Sequence, residues 1–147
     1  VNMAGTVKLT GAKAFLRMKI DIQATADKAS NGNQEVDDTA KTAIATAIGN
    51  VLTNEGANTY WVQDGNDWYC VEAQSANDSL ISFAGKSFLL PTSLGNKWQG
   101  ATITVKFSFE AIQADHVELA GENGTAKAAS LKALMNDTIN MTTGELK

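Results

Sequence analysis

Between Ala12 and Ala24 the chain alternates. Ala12, Ala14, Leu16, Met18, Ile20, Ile22 and Ala24 fall on one face, and Lys13, Phe15, Arg17, Lys19, Asp21 and Gln23 on the other. That period of two is what a half-buried strand requires. Thr6 to Thr10 is a shorter strand candidate, with Gly11 allowing a bend before the longer one. Thr102 to Gln113 repeats the alternation most cleanly. Ile103, Val105, Phe107, Phe109 and Ala111 face one way, and Thr102, Thr104, Lys106, Ser108 and Glu110 the other. The first set is the expected core strand. Its burial contributes about 8 kcal/mol before entropy, at about 1.5–3 kcal/mol per large side chain. On this pattern an aspartate at Phe107 unfolds the domain.

Elsewhere the period changes. Val36, Ala40, Ala43, Ile44, Ala47, Ile48, Val51 and Leu52 recur at helical spacing, which predicts a helix over 36–53 capped by Asp37 or Asp38. Asn54 to Gly56 ends it, and Gly49 inside it costs up to about 1 kcal/mol. Thr59 to Glu72 reads as a hairpin, since Tyr60-Trp61-Val62 and Trp68-Tyr69-Cys70-Val71 flank Asp64-Gly65-Asn66-Asp67. Lys28 to Gln34 is loop by composition. Leu80 to Leu90 offers two short apolar stretches broken at Gly85 and stopped by Pro91. Past Gly121 the chain turns helical around Ala126 to Met135, and Ile139 and Met141 alternate in the tail.

Strands therefore dominate, and no βαβ rhythm supports a parallel doubly wound sheet. Frequent turn signals suit sandwiches and jelly rolls. The expected fold is mainly β, a jelly-roll-like antiparallel β-sandwich with one or two inserted helices. It forms a single domain over 1–147, with the helix at 36–53 inserted and a C-terminal helix and tail over 121–147.

Composition narrows the function classes. The 147 residues carry a net charge of −4, with 19% charged and 44% hydrophobic residues. Lysines are scattered singly, so no basic patch points to nucleic acid. No apolar run reaches the length of a membrane span. The chain begins at Val1 rather than Met, as a processed or trimmed terminus does; a secretory signal peptide would lie upstream and already be gone, so secretion is argued from other features. One cysteine, Cys70, excludes an internal disulfide framework, and its apolar neighbours make it a buried hydrophobe.

Catalytic constellations are hard to assemble from these residues. His116 is the single histidine, too few for an ordinary zinc site, and is expected exposed at a strand end. Ser82 and Ser108 sit outside any Gly-x-Ser-x-Gly elbow, and no phosphate-binding glycine loop exists. Asp64, Asn66 and Asp67 have some calcium-loop character, but a hairpin turn accounts for them. Tyr60, Trp61, Trp68 and Tyr69 are either core or a sugar-stacking patch. Asn77, Asn123, Asn136 and Asn140 begin Asn-x-Ser/Thr sequons. No enzyme activity, cofactor or metal is expected.

The segment Gly95-Asn96-Lys97-Trp98-Gln99-Gly100-Ala101-Thr102-Ile103-Thr104-Val105-Lys106-Phe107-Ser108-Phe109-Glu110-Ala111-Ile112-Gln113 resembles the TasA and camelysin family. There an Asn-x-aromatic-Gln-Gly turn leads into an alternating strand ending in Glu-Ala-x-Gln. Trp61-Val62-Gln63-Asp64-Gly65 with Trp68-Tyr69 is similar to its hairpin, and Ala14-Phe15-Leu16-Arg17-Met18 to one of its strands. The resemblance implies an exported jelly-roll protein that is secreted or held at the cell surface. It implies head-to-tail homopolymers, matrix fibres or pili, in which one subunit lends a strand to the next. Met3-Ala4-Gly5-Thr6-Val7-Lys8-Leu9 is similar to a stretch near the family's mature start, so Val1, Met3, Val7 and Leu9 are the expected donor residues, within a donor segment 1–10.

Three readings follow. The first is a fibre or pilus subunit, with itself and other matrix components as partners. The second is a monomeric surface adhesin or glycan-binding module, motivated by the hairpin aromatics. The third is a camelysin-type metallopeptidase, for which His116 stands alone.

Overall fold

The alternating stretches do become strands. The computed structural model describes residues 2–3, 6–25, 38–53, 60–75, 79–82, 86–94 and 102–138. Along the chain these form β1 (Asn2–Met3), β2 (Thr6–Lys8), β3 (Ala14–Thr25), α1 (Asp38–Thr53), β4 (Trp61–Asp64), β5 (Asp67–Gln74), β6 (Ser79–Ser82), β7 (Lys86–Ser87), β8 (Thr102–Gln113) and α2 (Gly124–Thr138). The fold is an antiparallel, β-rich one with two helices. The expected loop at Lys28–Gln34, the helix stop at Asn54–Gly56, the break at Gly85 and the tail strand at Ile139–Met141 lie outside the described residues.

Four strands form the main sheet in the order β4-β5-β3-β8. β3 and β8 pair along their whole length, from Ala14 opposite Gln113 to Thr25 opposite Thr102. The hairpin β4–β5 closes with Asp64 opposite Asp67. Gly65 holds the first central position of its two-residue turn at φ 66°, the positive angle that tight hairpin turns demand.

Both faces of this sheet are covered. On one face Leu16, Met18, Ile20, Ile22, Trp68 and Cys70 pack with Ala40, Ile44, Ala45, Ile48 and Leu52 of α1. Ala40, Ile44, Ala47, Ile48, Val51 and Leu52 of the expected stripe face this core, joined by Ala45, which the spacing does not include, while Val36 lies outside the described residues. On the other face Phe15, Tyr69 and Val71 pack with Ala128, Leu131 and Met135 of α2. Phe15 and Arg17, on the polar side of the alternation, are therefore buried, because α2 roofs that end of β3. Farther along the same face Asp21 and Gln23 emerge into solvent.

α2 is started by its own sequence. Asn123 Oδ1 accepts a hydrogen bond from the Ala126 amide at 2.9 Å, the capping contact that satisfies one of the helix's first N–H groups.

The core-strand expectation for β8 holds in part, because Ile103, Val105, Phe107 and Phe109 pack against the α1-side core. Ile103, Val105, Phe107 and Phe109 are only half-buried, and Ala111 is exposed. The cause is position in the sheet. Among the described residues β8 is the last strand of the sheet order, with β3 as its strand neighbour. The fully buried row lies one strand inward, on β3.

Candidate functional site

The amino-terminal segment is held apart from the main sheet. β1 pairs antiparallel with β7, Asn2 opposite Ser87 and Met3 opposite Lys86. β2 pairs antiparallel with β6, Thr6 opposite Ser82 and Val7 opposite Ile81. These are two-stranded ribbons, and β6 and β7 also lie against α1. Leu9, just beyond β2, is buried in the α1-side core and anchors the segment's end. Of the expected donor residues, Met3, Val7 and Leu9 are thus in or beside the ribbons, while Val1 lies outside the described residues.

A second notable group is one that alternation hides. Arg17, the chain's single arginine among eleven lysines, is 1% exposed. Its guanidinium pairs with Glu110, directly opposite on β8, through Nε and Nη2. Its Nη1 donates to Asn136 Oδ1 of α2 at 2.8 Å. The Tyr69 ring centroid is 6.0 Å from Arg17 Cζ, within cation–π range. One cation thereby bolts β3, β5, β8 and α2 together. Sequence offered one signal for it: a lone arginine where lysine is the rule, since only the planar fork serves several acceptors at once. Asn136, the first residue of a sequon, is a half-buried acceptor within a helix. Asn77 and Asn140 lie outside the described residues.

The hairpin tip is gripped from both sides. Thr42 Oγ1 donates to Asn66 Oδ1 at 2.8 Å, and Gln63 Nε2 donates to Thr46 Oγ1 at 2.8 Å, both tying it to α1. Lys132 of α2 reaches Asp64 Oδ2 at 2.9 Å.

Asp67 stands opposite Asp64, and burial holds its carboxyl above the ordinary value, against the pull of Lys19 and Arg17. The folded state thus prefers the protonated acid. Below the ordinary aspartate range both states carry the proton, and stability falls as pH rises through the folded value. Asp67→Asn is therefore expected to stabilise the protein at pH 7 by about 0.5 kcal/mol. The gain should vanish in acid, as thermal melts at the two pH values would show.

The other candidate chemistry is dispersed. His116 is exposed in a turn after β8, at φ 62°. Cys70 is buried, and burial pushes its thiol up to about 12, so it is poorly reactive. Trp61, Trp68 and Tyr69 are core residues and Tyr60 is half-buried, so the hairpin rings are not laid out as a stacking platform. Among the described residues no three His, Cys, Asp or Glu side chains gather to hold a metal. None of the described helices is long and apolar enough to cross a membrane. Comparison with protein-family models, with curated proteins and with solved structures returns no match.

Proposed function

We propose that this chain is a secreted structural subunit, not an enzyme, and that it polymerises into matrix fibres or pili by exchanging its amino-terminal strand between neighbours. The observation that carries the reading is the pairing of Asn2–Met3 and Thr6–Lys8, which lie in two-stranded ribbons rather than in the four-stranded sheet. The groups they satisfy on β6 and β7 are backbone N–H and C=O. An identical segment from a second subunit satisfies them equally well. Exchange therefore trades equivalent ladders, at little net change in hydrogen bonding. Because the donated strand and the accepting edge are different surfaces, the contact is head-to-tail and propagates as a filament.

The likeness of Asn96–Gln113 to an exported fibre family supports the same reading. In it the main sheet is one layer of a jelly-roll sandwich and the ribbons belong to the second. Other matrix components are natural further partners of such a fibre.

Electron microscopy of the purified full chain is expected to show filaments. A variant lacking Val1–Lys8 but keeping Leu9 should form none, and should bind a synthetic Val1–Leu9 peptide. A protein that stays monomeric under every condition, with the Thr6–Lys8 amides protected from exchange in their own ribbon, overturns the reading.

A further inference from the structure

A short exposed turn joins the amino-terminal segment to the main sheet, and it is anchored on both sides. On the near side Leu9 is buried, in the same cluster as Phe88, Leu94 and the apolar residues of α1. On the far side the Lys13 carbonyl accepts a hydrogen bond from the Ala114 amide at 2.9 Å, and Ala14 then enters the main sheet opposite Gln113. Between these anchors Thr10, Gly11 and Ala12 are exposed, and these three residues make the whole passage from ribbon to sheet.

Gly11 sets the direction of that passage. Its φ is 103°, a backbone conformation that an L side chain opposes and glycine adopts freely. Beyond its chain neighbours, a Cβ built there meets no heavy atom within 4 Å, so only the backbone angle calls for glycine. That angle belongs to the arrangement in which β1 and β2 lie on this chain's own β7 and β6. An extended φ, which every residue adopts, sends the segment away from its own body. A short connection whose folded-back angle suits only glycine is the kind of hinge at which identical elements swap between subunits.

We infer that Thr10–Ala12 is the hinge of strand exchange, and that Gly11 sets the balance between two forms of the subunit. In the closed form the segment lies on its own ribbons; in the open form it is delivered to a neighbour. The hinge rests on strand exchange as proposed for this chain and adds a control to it. Leu9, on the donor side of the pivot, leaves one core site and fills the identical site of the neighbour, so its burial is kept. The ladders are kept as well. The hinge angle is what differs, so a substitution at position 11 shifts the balance without touching the donated strand or the edge that accepts it.

The register supplies the readout. Thr6 and Ser82 are paired across β2 and β6. Cysteines at the two positions have a Cα separation of about 4.5–5.5 Å, inside the about 4.4–6.8 Å that a disulfide spans. In a closed subunit that disulfide lies within one chain, and in an exchanged fibre it joins two. In the full chain with Thr6→Cys/Ser82→Cys, Gly11→Val is expected to lower the concentration at which filaments appear by about tenfold or more. Oxidised between the two thresholds, Gly11→Val should run as a covalent ladder on non-reducing gels and its parent as monomer. Gly11→Ala gives a smaller shift of the same sign should the valine variant not fold. Gly65→Val is the control, because Gly65 also has a positive φ, 66°, with open space around it, but lies in the hairpin turn. It should lower stability and leave the filament threshold in place. If neither Gly11 variant moves the threshold, or if Gly65→Val moves it as far, the hinge is overturned, while a ladder in the parent at high concentration keeps strand exchange. Monomer with an intrachain disulfide in every variant at every concentration overturns exchange itself, and the hinge with it.

Discussion

Glu110→Leu is expected to destabilise the protein by about 3–5 kcal/mol, and Arg17→Met by distinctly less, although both break the same ion pair. The asymmetry comes from burial. The side chain of Arg17 is 2% exposed and that of Glu110 is 24% exposed. Removing Glu110 strands a guanidinium beneath α2, with Asn136 Oδ1 and the Tyr69 ring as its remaining partners. Removing Arg17 leaves a carboxylate that can still reach water, at a cost closer to that of one lost charged hydrogen bond, about 1.5–3 kcal/mol. The double variant Arg17→Met/Glu110→Leu should recover most of the loss, because an apolar pair of similar volume asks for no desolvation. Urea unfolding of the four proteins measures the cycle. A larger loss for Arg17→Met than for Glu110→Leu would mean that the cation is a net source of stability rather than a registering bolt.

Gly49→Ala is the second large effect, and its sign opposes the usual rule. In an exposed helix interior this change gains up to about 1 kcal/mol. Here a Cβ at position 49 would lie 2.0 Å from Cε2 of Trp68 and 2.2 Å from its Nε1. Those atoms belong to a rigid ring that is itself in the core, so the ring cannot swing aside without opening a void. Overpacking of this kind costs about 1–3 kcal/mol, and the propensity gain offsets only part of it. A net fall in the urea midpoint is expected. It should be accompanied by a change in Trp68 fluorescence, since α1 must lift from the sheet to make room. A rise in stability would show that the helix backbone does not sit on the indole.

Gly49 shows what periodicity misses. From the chain alone it is a helical residue with a penalty. The fold makes it the notch through which α1 approaches β5. Arg17 is the same lesson on the other face. Its place in an alternating strand assigns it to solvent, because alternation records which side a residue takes and not what later covers that side. α2, more than a hundred residues away in the chain, decides that. The donor-segment proposal rests on resemblance, since nothing in Val1–Leu9 itself says which strand it will pair with. Its pairing with β6 and β7 joins segments some eighty residues apart.

Local sequence was enough to specify the elements: the two twelve-residue strands at 14–25 and 102–113, the Asp-Gly hairpin, and both helices. Each follows from contacts a few residues long, through side-chain period, capping and turn geometry. The order of strands in the sheet came from the assembled fold alone. That order set β3 between β5 and β8 and, among the described residues, β8 last, although their alternation is equally clear. An apolar face on a strand is stabilised wherever it meets another layer, so the pattern cannot distinguish a central position from an edge. The number of neighbouring strands does, and that number is a property of chain topology. It left the apolar face of β8 half-buried against the core while that of β3 is fully buried.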